Sequence, residues 1–142
     1  MKKNNFFKVG NVIKHWPGKT ITESDNNLFC LLTMNHHPIH LDKFFSAKSL
    51  FKKQIVVGTY VFSVAVGMTV KDLSIKAIAN LGYDEVQHLK PVFLGDTLYV
   101  TSKVISERKS KKSKNKKIIG IETFAKNQKN LKVISFRRHI LI

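Results

Sequence analysis

The 142-residue sequence predicts a single α+β domain in which a curled antiparallel sheet wraps one long apolar helix. Residues 58 to about 73 are apolar around most of the helical circumference, so this helix has no side suited to solvent and must be enclosed. Nearly every segment after Ser74 has the composition or the alternation of a strand. A chain of this length buries about 70% of its unfolded surface, which is enough for one core but leaves no room for a second domain.

The first half of the chain supplies an opening strand and two helices before the apolar one. Residues 7–16 predict the strand. Thr22, followed by acidic residues, predicts the N-cap of a helix that ends near Asn35, because Pro38 disfavours helical geometry at the residue before it. A second short helix is expected over residues 42–49. The expected apolar stripe of the first helix consists of Leu28, Phe29, Leu31 and Leu32.

Four segments in the second half predict the strands of the sheet. Their ranges are 75–86, 98–104, 118–124 and 131–142. Asn80 and Gly82 indicate a β-bulge in the first of them. Residues 127–130 are typical of a hairpin loop between the last two strands. The residues expected on one side of these strands are Leu98, Val100, Val104, Ile134, Phe136, Ile140 and Ile142.

Composition and charge exclude several classes of protein. A single cysteine, Cys30, rules out an intramolecular disulfide and hence a small secreted disulfide scaffold. The longest uncharged stretch, residues 54–70, is shorter than the roughly 20 apolar residues that a membrane span needs. The basic N-terminus reaches Lys8 before a signal-peptide apolar stretch could form, so the expected location is the cytoplasm. The net charge of +16 indicates attraction to polyanions but says nothing about the fold.

The strongest concentration of charge is the segment 108–117, which carries seven Lys and Arg residues among ten. Mutual repulsion favours an exposed and mobile loop between two strands. Clustered cations give salt-sensitive binding to nucleic acid, but this segment has no interleaved aromatic residues for base stacking. The sequence therefore argues against nucleic acid as the main partner.

The segments richest in reactive side chains are 33–42 and 54–58, and they carry a family resemblance. Residues 37–42, His-Pro-Ile-His-Leu-Asp, resemble the Asn-Pro-(Leu/Ile)-His-x-Asp signature of the MaoC-like dehydratases and R-specific enoyl-CoA hydratases. Residues 89–98 resemble that family's Phe-x-x-Pro-Val-x-x-Gly-Asp-Thr-Leu element. Leu-Leu-Thr-Met-Asn at 31–35 and Asn-Leu-Gly-x-x-(Asp/Glu)-Val at 80–86 resemble small MaoC-like proteins. The four fragments occur in the family's order across nearly the whole chain.

The resemblance implies a hot dog fold over residues 1–142, usually paired as a homodimer or higher oligomer with active sites at the subunit boundary. The implied activity is that of a lyase of fatty acid metabolism, which adds or removes water across the double bond of an enoyl-CoA thioester. Coenzyme A would be part of the substrate, and no separate cofactor is expected. Two alternatives remain open at this stage: a hot dog acyl-CoA thioesterase and a non-catalytic acyl-CoA-binding protein.

The resemblance also implies the residues that handle protons. The family places an Asp five residues before its His, and the corresponding pair here is Asn35 and His40. A carboxamide cannot take a proton from water, so we expect Asn35 to orient the water and His40 to act as general base and then as general acid. Asp84 or Glu85 could supply a substitute carboxylate. A helix C-cap is the competing interpretation of Asn35, which its position also suits.

The oxyanion of the reaction is expected to lie at the start of the apolar helix. By the resemblance, the backbone amide of Gly58 would hold the thioester oxygen, with Thr59 adjacent and Ser63 further along the helix. Val57 stands where the family has a His.

Three further groups of residues have more than one interpretation. Asp42 suits both an auxiliary role in the site and the N-cap of the short helix. The histidines at 36, 37 and 40 are close in sequence, but Pro38 interrupts helical ligand spacing and no Cys partner is near, so no metal site is expected. The basic segment 108–117 is expected to be a solvated turn, or to lie near the phosphates of coenzyme A.

Overall fold

A six-stranded antiparallel sheet forms most of the molecule in this computed structural model, which describes residues 6–113 and 115–142. The strands are β1 (Val12–Lys14), β2 (Lys19–Thr20), β3 (Ala79–His88), β4 (Thr97–Lys109), β5 (Lys117–Lys126) and β6 (Lys132–Leu141). The helices are α1 (Glu23–Leu32), α2 (Pro38–Leu41), α3 (Lys43–Lys48) and α4 (Gly58–Met68), and a 3₁₀ turn follows at Ser74–Lys76. The strand order is β1-β4-β5-β6-β3, and β2 pairs with the start of β4.

The core lies between the sheet and α4, as the alternation in the sequence predicts. Val61 and Ala65 of α4 are buried together with inward-facing side chains of β4 and β6. Those strand residues include Leu98, Val100, Ile134 and Phe136. Their burial removes apolar surface from water, which is the main stabilising contribution to such a layer.

The apolar helix is shorter and less enclosed than its sequence predicts. It ends at Met68 rather than near residue 73, and two turns and the 3₁₀ segment complete the connection to β3. Thr59, Ser63 and Gly67 lie on an exposed side of the helix. The prediction of full enclosure is wrong for the isolated chain because the sheet covers only one face of the helix. No helix of the described residues is long and apolar enough to cross a membrane.

Helix α1 begins as predicted but buries a different face. Thr22 and Asp25 form a capping box, in which each side chain accepts a hydrogen bond from the other residue's backbone N–H. The buried positions of α1 are Asn26 and Cys30, and burial raises the pKa of the Cys30 thiol. The predicted stripe is wrong for three of its four members, because Leu28, Leu31 and Leu32 are exposed.

A short helix that the sequence did not predict carries His40. In α2, Pro38 occupies the first turn, where its missing N–H costs nothing, and the His37 ring accepts a hydrogen bond from the Ile39 amide at 3.1 Å. The following helix α3 begins after Asp42, whose carboxylate accepts from the Phe45 amide at 2.9 Å. The structure therefore shows Asp42 as the N-cap that its sequence position suggests.

Strand β3 contains two irregularities. The first lies between Asn80 and Gly82, at the predicted bulge. The second inserts one extra residue, because Asp84 pairs with Arg137 whereas Gln87 pairs with Ser135. Glu85, inside this second bulge, has a left-handed φ of 49°.

The second bulge changes which face of the sheet the end of β3 presents. Tyr83 pairs with Arg138, and His88 pairs with Ile134. These partners are four residues apart on β6 and both are buried on the side of α4. Tyr83 and His88 are five residues apart, so regular alternation would put them on opposite faces. The extra residue restores them to the same face.

The loop between β4 and β5 is shorter than the predicted basic loop over residues 108–117. β4 extends through Lys109 and β5 begins at Lys117, so the connection covers residues 110–116. Lys114 lies outside the described residues. Lys111 and Lys112 are exposed, in agreement with the predicted solvated turn.

Candidate active site

His40 and Gly58, the two groups on which the predicted chemistry depends, line the same cavity. Its volume is about 280 Å³. Helix α2 contributes His40, the N-terminus of α4 contributes Gly58, and the end of β3 contributes His88. The remaining lining residues are Phe51, Ile55, Val56, Val61, Leu89, Lys90, Pro91, Val92 and Val133.

The tautomer of His40 is set by one hydrogen bond. Its Nδ1 lies 2.9 Å from the carbonyl oxygen of Ile55. A carbonyl oxygen can only accept, so Nδ1 carries the proton in this contact. In neutral His40 the Nε2 atom then holds the lone pair, which is the form a general base requires.

Asn26 joins the backbone of His40 to the start of α4. Its Nδ2 donates to the His40 carbonyl at 3.1 Å, and its Oδ1 accepts from the Val57 amide at 3.0 Å. Gln54 donates to the same His40 carbonyl at 3.1 Å. Asn26 is fully buried, so water does not compete for these bonds. This side chain therefore fixes the separation between the base and the helix N-terminus.

The N-terminus of α4 is suited to a developing negative charge. Val57 occupies the N-cap position and makes no side-chain capping bond, so the first amides of the helix are not satisfied by a cap. The helix dipole adds partial positive charge at this end. Gly58 can approach a thioester closely because it has no side chain. The arrangement has the donors that stabilise an oxyanion.

His88 is a cavity residue that the sequence analysis did not single out. A Cβ placed on Gly58 would lie 3.0 to 3.3 Å from three atoms of the His88 ring, so the imidazole packs directly on this glycine. Any larger residue at 58 would displace the ring. In the family pattern Phe-x-x-Pro, the Phe falls at position 88, and this departure was the available signal in the sequence.

Three other predicted residues lie outside the lining of the cavity. The Asn35 side chain accepts from the His37 amide at 3.4 Å in the turn after α1. Thr59 is exposed, and the Ser63 hydroxyl donates to the Thr59 carbonyl at 2.9 Å along the outer side of α4. None of these three side chains is among the described residues that line the cavity with His40.

The predicted auxiliary carboxylates are also engaged elsewhere. Asp42 caps α3. The Oδ2 atom of Asp84 lies 3.0 Å from Nε2 of His139, and Glu85 forms an ion pair with Arg137. None of these carboxylates is among the residues that line the cavity. Residues 6–113 and 115–142 hold no cluster of three or more His, Cys, Asp or Glu that could bind a metal ion.

A comparison with protein families gives one match, to the family described as the MaoC like domain, over residues 5–125. The chain belongs to this family. The resemblance that the sequence motifs indicate is thereby confirmed, and the match covers both the segment of His40 and that of Gly58.

One curated MaoC-like relative is the β-methylmalyl-CoA dehydratase of Chloroflexus aurantiacus. It is 32% identical over 136 residues, which are 96% of this chain and 38% of the relative. The chain spans less than half the length of the first curated relatives it matches.

Similar solved structures confirm the predicted fold. The monoamine oxidase regulatory protein from Archaeoglobus fulgius is 30% identical, with a TM-score of 0.86 over 95% of this chain and 90% of that chain. A Mycobacterium tuberculosis protein described as having a double hot dog fold is 20% identical, with a TM-score of 0.85. The match covers 95% of this chain and 42% of the M. tuberculosis chain. The chain has the hot dog fold.

Proposed function

We propose that this chain is a hydratase or dehydratase that adds or removes water across the α,β double bond of an enoyl-CoA thioester. The observation that carries the proposal is the shared cavity, which is lined by both His40 and Gly58 at the N-terminus of α4. Relatives named as dehydratases of CoA thioesters support the same class of reaction. Coenzyme A enters only as part of the substrate.

In the hydration direction, the thioester oxygen accepts a hydrogen bond from the Gly58 amide at the helix N-terminus. His40 Nε2 takes a proton from a water molecule while the water oxygen bonds to the β-carbon. The electrons of the double bond move onto the thioester, and the resulting enolate is stabilised by the amide and the helix dipole. A proton then reaches the α-carbon and the carbonyl re-forms. Dehydration is the same sequence reversed.

A second copy of the chain is part of the proposal. The edge strand β3 leaves large apolar side chains in solvent, among them Leu81, Tyr83 and Val86. Ile75 and Ile78, just before this strand, are 74% and 61% exposed. Several large apolar side chains exposed along one sheet edge favour a contact with another molecule there. A homodimer joined along β3 would cover it and would close the open side of the cavity beside His88.

Purified protein incubated with crotonyl-CoA tests the proposal. Loss of enoyl absorbance without thiol release is expected, and β-methylmalyl-CoA tests the reverse reaction. Thiol release would instead show a thioesterase. Binding with neither reaction would show a non-catalytic acyl-CoA-binding protein, which the carboxamide at Asn35 would explain.

His40→Ala identifies the base. We expect turnover to fall by at least about 10²-fold, because general base catalysis contributes that much. His36→Ala is the matched control, since this neighbouring histidine is exposed and does not line the cavity. Sedimentation equilibrium on both variants should give the mass of the wild-type dimer. Full activity of a folded His40→Ala protein would refute the assignment.

A further inference from the structure

The His88 imidazole makes no hydrogen bond that stabilises the fold of the described residues. Its ring has no hydrogen-bond or ion-pair partner among the described residues, although it packs within 3.0 to 3.3 Å of the Cβ position of Gly58. Its direction is set by the bulge in β3, which turns it onto the side of α4. A side chain that could have faced solvent on the outer surface is instead held at the cavity, beside the helix N-terminus.

Hydration moves a proton twice, so the two transfers can be divided between two carriers, and few of the described residues can act as the second one. One proton leaves water, and another must reach the α-carbon. Asn35 cannot carry a proton at neutral pH, and its side chain lies outside the cavity lining. Asp84 and Glu85 pair with His139 and Arg137 instead of lining the cavity. Among the described residues that line the cavity, the groups able to exchange protons are His40, His88 and Lys90.

We propose that His88 is the catalytic acid of this site and delivers the proton to the α-carbon. This inference rests on the proposed hydratase function and names a residue that performs half of its proton transfer. With the thioester oxygen at the Gly58 amide, the carbonyl carbon and the adjacent α-carbon lie next to Gly58, where the His88 ring is packed. His40, held by its bond to Ile55, acts on the water.

The two imidazoles together complete the reaction without another reagent. His40 becomes protonated as the water oxygen bonds to the β-carbon. Protonated His88 then gives its proton to the α-carbon while the enolate electrons form the new carbon–hydrogen bond. Proton exchange with solvent returns His40 to its neutral form and His88 to its protonated form, so the net change is the addition of one water. Positive charge on His88 and Lys90 also stabilises the enolate before it is protonated.

The pH dependence separates the two roles. A general base must be unprotonated and a general acid must be protonated, so catalysis by two such groups falls off at both ends of the pH range. The wild-type profile of kcat/KM for crotonyl-CoA hydration should therefore have two limbs. His88→Phe and His88→Gln should keep the acidic limb and lose the alkaline limb that belongs to His88.

The variants also separate proton transfer from packing. We expect kcat to fall about 10²-fold or more in His88→Phe and His88→Gln, while KM changes by no more than about threefold. His139→Gln is the control, because His139 has a similarly exposed ring on the outer face of the sheet, paired with Asp84. His88→Ala should regain activity when imidazole is added, and His139→Ala should not respond. Circular dichroism and calorimetric binding of butyryl-CoA verify that each variant is folded and binds thioester.

The outcomes distinguish the two proposals. A wild-type protein without hydratase activity overturns the proposed function and this inference with it. A wild-type hydratase whose folded His88→Gln variant keeps its rate and both limbs overturns the role of His88 alone. If His88→Phe fails to fold, His88→Gln decides, since it keeps a polar side chain of similar size.

Discussion

Asn26→Ala tests whether one buried amide holds the active site together. The substitution removes both hydrogen bonds that join the His40 carbonyl to the Val57 amide. The His40 carbonyl keeps a partner, because Gln54 also donates to it. The Val57 amide loses its partner at a residue that is 2% exposed. The damage therefore concentrates at the N-terminus of α4, where the oxyanion is expected to form.

The expected cost follows from these contacts. Leaving one buried N–H without a partner costs about 1–3 kcal/mol, and the loss of the bond to a carbonyl that remains satisfied adds about 0.5–1.5 kcal/mol. We therefore expect the free energy of unfolding of Asn26→Ala to fall by about 1.5–4.5 kcal/mol. Because the helix N-terminus is no longer tied to His40, kcat should fall about 10-fold or more with a smaller change in KM.

Urea unfolding and steady-state hydration of crotonyl-CoA measure the two effects. Asn27→Ala is the matched control, since the same residue type lies next along α1 and its buried amide oxygen has no hydrogen-bond partner within residues 6–113 and 115–142. This control should lose less than about 1 kcal/mol and keep its kcat. Equal stability and equal rates for the two variants would show that the Asn26 bridge does not position the site.

Two further predictions concern the ends of α1. The Lys19 ammonium and the Thr22 amide lower the pKa of Asp25 from its ordinary value of 3.8. The ionised carboxylate therefore stabilises the fold at pH values above 3.8, and this stabilisation is lost as the pH falls through the lowered pKa. Asp25→Asn should therefore lower the urea midpoint at pH 7, and the difference from wild type should shrink in titrations below pH 3.8; a constant difference would contradict this. Asn35→Asp should preserve or raise hydratase activity, because a carboxylate can accept the same bond from His37; an inactive variant with an intact fold would show that position 35 works differently.

The sequence predicts those parts of the fold that depend on local pattern. The capping box at Thr22 and Asp25, the alternation of Leu98, Val100 and Val104, and the bulge at Gly82 all follow from residue type and spacing. These signals are local because each arises from hydrogen bonds or burial within a few residues. The family motifs placed His40 and Gly58, and the structure brings both to one cavity.

The buried face of α1 could not be predicted from hydropathy. A helix with several leucines is expected to bury them, yet Leu28, Leu31 and Leu32 are exposed and Asn26 is buried. The orientation of α1 fits the two hydrogen bonds of Asn26, whose partners lie 14 and 31 residues further along the chain. Periodicity within ten residues contains no information about partners at that distance.

The face of the sheet on which His88 lies could not be predicted from the sequence for a different reason. Regular alternation from Tyr83 would place His88 on the outer face of the sheet, where Asp84 and His139 pair with each other. The extra residue between Asp84 and Gln87 reverses this, and no glycine marks its position, because Glu85 takes the left-handed conformation. A prediction based on the two-residue alternation of strand side chains fails at such an insertion.

One extra residue in a strand exchanges the two faces of the sheet for all the side chains that follow it in that strand. A substitution changes one side chain, but removing a single residue from the second irregularity of β3 would turn the imidazole of His88 to the outer face of the sheet, with the composition of the chain almost unchanged. The chemistry proposed for this cavity therefore depends on the number of residues in a bulge whose own side chains do not line the cavity. Homologous chains that differ by one residue there would present different functional groups to the same ligand.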